Sequence, residues 1–197
     1  MDDLLQADDA DLLAYVSDEE SALTGRESFL VRAASEVVRD YCGWHIAPNI
    51  SGTYDKLTIG SGGIIMLPSG FVTDVSSVTI NSPGGDAVLD PVTDYDWFRQ
   101  GFIEAKSPLW RYGYGAVYGP YKAGLATVSM THGYTTCPLA VKSVIFELME
   151  AADLENSGNV KSVQSASFRV QWGPLSGVSM TPSQVDRLSK YKIGGLI

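Results

Sequence analysis

Residues Cys137–Glu155 read CPLAVKSVIFELMEAADLE, the densest apolar segment of the chain. Leu139, Val141, Val144, Ile145, Leu148, Ala151 and Ala152 recur at spacings of three and four, which places them along one face of a helix. Phe146 and Met149 widen that face, so the helix needs cover on more than one side. Pro138 suits the first helical position, where a missing N–H costs nothing. Lys142, Glu147, Glu150, Asp153 and Glu155 mark the wetter side, and the polar Asn156–Asn159 stretch with Gly158 ends the element.

A helix this apolar requires partners. The first is Thr24–Cys42, TGRESFLVRAASEVVRDYC. Thr24 and Glu27 stand at capping-box spacing. Phe29, Leu30, Ala33, Ala34, Val37, Val38 and Tyr41 line an apolar face, with Arg26, Arg32, Glu36, Arg39 and Asp40 mainly opposite. Gly43 follows as a C′ residue.

Between these helices, residues 46–133 change character. Gly, Ser, Thr, Tyr and Val dominate, and helical periodicity disappears. Strand-like runs at Thr53–Ile59, Gly63–Leu67, Val75–Asn81, Asp94–Arg99, Gly101–Ala105 and Leu125–His132 predict a small β sandwich or barrel. Ser82–Asp86 reads as a turn, and Gln100–Gly101 as the tip of a tight hairpin. Residues 107–124 alternate Trp110, Tyr112, Tyr114, Tyr118 and Tyr121 with Gly and Pro, either as a contact surface or as anchors of a loop over the β core.

Beyond the second helix, Val160–Trp172 has a period of two at Phe168, Val170 and Trp172, the signature of a strand with one buried face. Thr181-Pro182-Ser183-Gln184 is a capping box that opens a short helix, Pro182–Lys190, with Val185 and Leu188 inward. The fold class is therefore α+β. A helical core (24–45 and 134–190) carries an inserted antiparallel β sub-domain (46–133), between an acidic N-terminal segment (1–23) and a C-terminal tail (191–197).

The 197 residues are 45% hydrophobic with a net charge of −9. The first twenty hold eight acids and no base, while the remainder holds 14 bases and 15 acids. The body is thus near neutral, which argues against a surface that grips DNA phosphates, since that needs clustered Lys and Arg. The N-terminal segment reads either as an amphipathic helix on Leu4, Leu5, Leu12, Leu13 and Val16 or as a solvated tail. No window is long and apolar enough to span a membrane, and no export signal is visible.

No nucleophile elbow, P-loop or dinucleotide fingerprint is present. Asp94 and Asp96, at i and i+2, fit a solvated strand face better than an acid pair. Cys42-x2-His45 and His132-x4-Cys137 would make a Cys2His2 zinc set if all four converged. The alternative is two small buried thiols and two locally bonded histidines. No cofactor, metal site or catalytic residue is expected, and the chain does not read as an enzyme.

The helix end Asp40-Tyr41-Cys42-Gly43-Trp44-His45-Ile46, the LPSGFVTDVSSVTI run at Leu67–Ile80 and the LSKYKIGG terminus resemble the head-to-tail adaptor (head completion, or connector) proteins of tailed bacteriophages. The resemblance spans most of residues 25–196. It implies a structural virion protein of the neck, made in the host bacterial cytoplasm. It implies a homo-oligomeric ring, commonly twelve-fold, beneath the portal protein, through which DNA passes without sequence-specific binding, and a surface for the next neck or tail component.

Carried onto this chain, Tyr191, Lys192, Ile193, Gly194, Gly195, Leu196 and Ile197 become the portal-docking tail, and the helices Gly25–Cys42 and Pro138–Glu155 the ring core. Independently of the resemblance, Phe146 and Met149 exceed what a two-helix contact needs and are candidates for packing against the β insertion or a neighbouring subunit. The acidic N-terminus falls outside the resemblance. It is expected to face the channel or to pair with basic residues of a neighbour, such as Arg187, Lys190 and Lys192. The competing readings are a binding module that recognises carbohydrate or a host surface through its aromatic loop, and another neck or tail-terminator protein.

Overall fold

The computed structural model describes residues 4–6, 8–16, 23, 25–81, 86–106, 125–156, 162–165, 168–171 and 180–193. The capping role of Thr24, most of the Ser82–Asp86 turn, the aromatic stretch 107–124, Trp172 and residues 194–197 lie outside them. The described residues form two compact units. One is drawn from Met1–Cys42 and Cys137–Lys192, the other from Gly43–Thr136 with Ile193.

The first unit is built on four helices: α1 (Ala10–Val16), α2 (Gly25–Cys42), α3 (Leu139–Asn156) and α4 (Pro182–Ser189). In α2 the buried side is set by Leu30, Val31, Ala34, Val38 and Cys42. Phe29 falls about half a turn away from Val31 and Val38 and is 59% exposed, so it lies off the apolar face on which its spacing had put it. Arg39, expected opposite, is buried at the flank and lies 3.5 Å from Glu36. In α3 the same geometry buries Val141, Val144, Ile145 and Leu148 and turns Leu139 outward, 74% exposed.

Gly43 ends α2 in the left-handed region, φ +78, as a C′ glycine does. α4 opens with the predicted box: the Gln184 amide N–H bonds the Thr181 hydroxyl, and the Gln184 side chain accepts from the Thr181 N–H at 2.8 Å. The period-two run expected as one strand is instead a hairpin of two strands, Ser162–Ser165 against Phe168–Gln171.

The second unit is wholly antiparallel. Strands β1 (Ile50–Thr58), β2 (Ile64–Met66), β3 (Val72–Asn81), β4 (Ala87–Val88), β5 (Tyr95–Phe98), β6 (Phe102–Ala105) and β7 (Leu125–His132) form a four-stranded sheet, order β1-β7-β3-β4, and a three-stranded sheet, order β2-β6-β5. Both contribute to one apolar core: Val72, Val75, Val78, Ile80, Val128 and Met130 from the larger, Ile65, Tyr95 and Ile103 from the smaller. An Ile59–Ile65 bridge joins them. The α+β class expected from the sequence is what the chain adopts, and of the sandwich and barrel alternatives its β part takes two sheets.

Alternation makes the larger sheet two-faced. β7 buries Ala126, Val128, Met130 and His132 and turns Thr127, Ser129 and Thr131 to the other side. There, hydroxyls pair across strands, Ser51 with Thr131 at 2.8 Å and Thr53 with Ser129 at 2.9 Å. β5 and β6 form the anticipated hairpin, with a three-residue loop, Arg99–Gly101, in place of a two-residue one. Gly101 adopts φ +93, and a Cβ there would collide with the Ser69 carbonyl.

The unit is closed at its own base. The Tyr134 N–H donates to Ile46 O at 2.8 Å and Asn49 Nδ2 to Gly133 O at 2.9 Å, so the incoming and outgoing strands of chain meet. Ile46, fully buried, sits at φ +61 inside a γ-turn closed by the Ala47 N–H and His45 O.

Candidate assembly site

The N-terminal acids are placed by α3. Asp9 and Asp11 both reach the Lys142 ammonium, at 2.7–2.8 Å for Asp9 and 2.7 Å for Asp11. Lys142 is buried, not on the wetter side of the helix as expected. It shares one flank of α3 with Phe146 and Met149, at helical spacings of four and three. Asp9 also caps α1: its Oδ1 accepts from the N–H groups of Asp11 and Leu12.

Burial alone would lift the Asp9 pKa, but its bonds with Lys142, Leu12 and Asp11 hold it below the usual carboxylate range. Burial likewise opposes the charged Lys142, and the two acids more than offset it, holding the ammonium above the usual lysine range.

Apolar contacts complete this clasp. Leu4, Leu5 and Leu12 are all at most 3% exposed. Tyr15 stacks on Phe146 with ring centroids 4.5 Å apart and planes within 6°. The broad stripe of the second helix thus finds cover in the chain's own N-terminal segment, a cover the sequence reading did not assign. Met149 is 4% exposed within the subunit. An amphipathic helix on these leucines was one of the two sequence readings, and the eight acids of residues 1–20 weighed against it by composition. The usable signal was the leucines on either side of Asp8-Asp9.

The basic residues proposed as partners of those acids are engaged elsewhere. Arg187 bonds Glu147 Oε2 at 2.5 Å and Ser143 Oγ at 3.2 Å, with Gln184 Nε2 on the same carboxylate oxygen at 2.9 Å. Lys190 lies over the Tyr191 ring and Lys192 over Tyr41, at 5.0 and 5.1 Å. Tyr41 in turn donates its hydroxyl proton to Val185 O at 3.2 Å. The root of the C-terminal tail is therefore fastened: Tyr191 and Lys192 close a last turn onto Leu188 O and Ser189 O. Gly194, Gly195, Leu196 and Ile197 lie outside the described residues.

In the β unit, a chain of neighbouring groups, mostly edge-on and with only Phe71 and Tyr134 stacked, runs Arg99, Phe71, Tyr134, Trp44, His45, His132, Tyr54, each near the next at 4.3–6.2 Å. His45 Nε2 lies 2.9 Å from Pro48 O, a pure acceptor, so that nitrogen carries the proton. His132 Nε2 shares a 2.5 Å hydrogen bond with the Tyr54 hydroxyl, and its Nδ1 is buried without a partner. Burial, with the adjacent His45 adding to it, pushes the His132 pKa down to about 4.

Gly133 fits under this pair at φ +101, where a Cβ would stand 2.5 Å from His45 Nε2. Cys42 and Cys137 are buried thiols, and burial raises their pKa to about 11 and about 12. Among the described residues no group of three or more His, Cys, Asp or Glu is arranged to hold a metal ion. Asp94 bonds the Asp90 N–H and the Thr93 hydroxyl inside a turn, while Asp96 pairs with Lys106 at 2.9 Å, so the two acids serve separate structural ends.

No protein-family model and no curated protein sequence matches the chain. Solved structures do. The chain shares its fold with a chain in the virion of a native gene transfer agent (GTA) particle, with TM-score 0.56 and 13% identity over 95% of this chain and 90% of that one. It is similarly close to a chain in the neck of the native GTA particle computed with C12 symmetry, with TM-score 0.54 and 13% identity over 95% and 89%. A third likeness is to the neck of the empty GTA particle computed with C6 symmetry, with TM-score 0.50 and 14% identity over 95% and 90%. Among the described residues no helix is long and apolar enough to cross a membrane.

Proposed function

We propose that this chain is a structural neck protein of a virion: a head-to-tail adaptor that forms a ring under the portal, extends the DNA channel and offers the next neck or tail component its attachment surface. The observation that carries this is a fold shared along 95% of the chain with chains of a GTA virion and neck. The symmetry of those necks supports a ring of identical copies.

The residues support a structural rather than catalytic role. The buried histidines, thiols and ion pairs each have a packing explanation. Outside the acidic N-terminus the charge is nearly balanced, and the exposed face of the larger sheet is lined by hydroxyls. Such a surface gives passing phosphates hydrogen-bonding partners without the ion pairing that would hold them.

Tyr191–Ile197 is the portal-docking tail in this reading. Its root is pinned by Lys192 on Tyr41, and the apolar end beyond it suits a groove on a partner. The deciding experiment mixes the protein with portal rings and images the product. A ring of this protein on one end of the portal is expected, and removing residues 194–197 should abolish it while leaving the circular dichroism spectrum unchanged. Free protein beside bare portal would overturn the reading.

A further inference from the structure

We propose that the N-terminal clasp is exchanged between subunits: in the assembled ring, residues 4–16 of one copy lie on the α3 flank of the next. This rests on the ring reading above. A seven-residue helix has no stability of its own in water, so α1 borrows its order from whatever flank it covers. What it offers is chemically specific: two acids, Asp9 and Asp11, for one buried cation, Lys142, and one ring, Tyr15, for another, Phe146.

Every one of these contacts is between the segment and α3, and an identical α3 on a second copy satisfies them equally. Exchange therefore keeps these ion pairs and this ring contact, while it ties neighbours together. The eight residues between Val16 and Gly25 reach about 30 Å when extended, the span on which the exchange draws. Phe146 and Met149 then belong to a subunit interface, with the neighbour's segment as their cover.

Charge exchange tests this on the full chain. Variant one carries Lys142→Glu. Variant two carries Asp9→Asn, which keeps the α1 cap, and Asp11→Lys. Alone, each opposes like charges and should form rings on portal at least tenfold less than wild type. Mixed in equal amounts they should recover to within about twofold, because each segment then meets an opposite charge on its neighbour. No recovery on mixing, or full assembly of either variant alone, overturns the exchange.

A second construction guards against misfolding: Asp11→Cys with Lys142→Cys, oxidised after assembly, should give covalent chains linked from subunit to subunit. Linkage confined to single chains overturns the proposal. A wild-type protein that forms no ring on portal would instead overturn the ring reading itself, and the exchange with it.

Discussion

Gly133 and His132 are adjacent, and each carries a distinct liability. Any side chain at Gly133 must adopt a left-handed backbone and intrude on His45 and the Pro48 carbonyl, 2.5 and 2.6 Å away. Gly133→Ala should cost about 2–4 kcal/mol, read as a lower urea midpoint with an unchanged slope. His132 must stay neutral in the fold. Its pKa falls from 6.5 to about 4 on folding, so the stability it contributes is complete above pH 6.5 and is lost as pH drops through about 4. Between these limits the β unit should lose about 2–3 kcal/mol. Denaturant titrations at pH 7.5 and 4.5 check this, and in His132→Asn that part of the pH slope should vanish. Neither liability was legible beforehand: a lone His and a following Gly look alike in a turn and in a packed base, and only the partners brought from Trp44–Pro48 separate them.

Among the elements, α4 and the clasp make contrasting claims. The capping box of α4 was readable from Thr181-Pro182-Ser183-Gln184 because capping is local, and Leu188 is inward as its spacing required. Gln184 does more than the motif states, since its amide also donates to Glu147. Thr181→Ala should therefore cost about 1 kcal/mol, seen in thermal unfolding, and Gln184→Ala somewhat more. The clasp could not be read, because its partner residue Lys142 is 131 positions beyond Asp11 and no local pattern joins them. Lys142→Met should free residues 10–16 to exchange their amide hydrogens at nearly the unprotected rate, while the interior of α3 stays protected. The clasp's electrostatic support is complete between roughly pH 3.8 and 10.5. It fades below, as Asp9 takes up a proton, and above, as Lys142 loses one.

At the level of the molecule, the sequence disclosed the kinds of element and the α+β class, since hydrophobic period switches plainly from 3.6 to 2 and back. Strand order within the sheets and the chain of rings from Arg99 to Tyr54 depend on distant pairing, which periodicity does not encode, while the local hairpin merged its first strand, Ser162–Ser165, with its second in one run. One molecular prediction follows from the closed base of the β unit. Expressed alone, residues 44–135 should fold and unfold cooperatively, with the dispersed amide proton spectrum of a packed β protein. A collapsed, poorly dispersed spectrum would show that the sheets need the helices.

That same closed base has a mechanical side. Tension entering the chain at Gly43 and leaving at Thr136 meets the Ile46–Tyr134 and Asn49–Gly133 hydrogen bonds before it reaches either sheet. The pair acts as a shunt. Pull applied to the two ends of this loop should be carried across its neck, with the seven strands beyond it left unloaded.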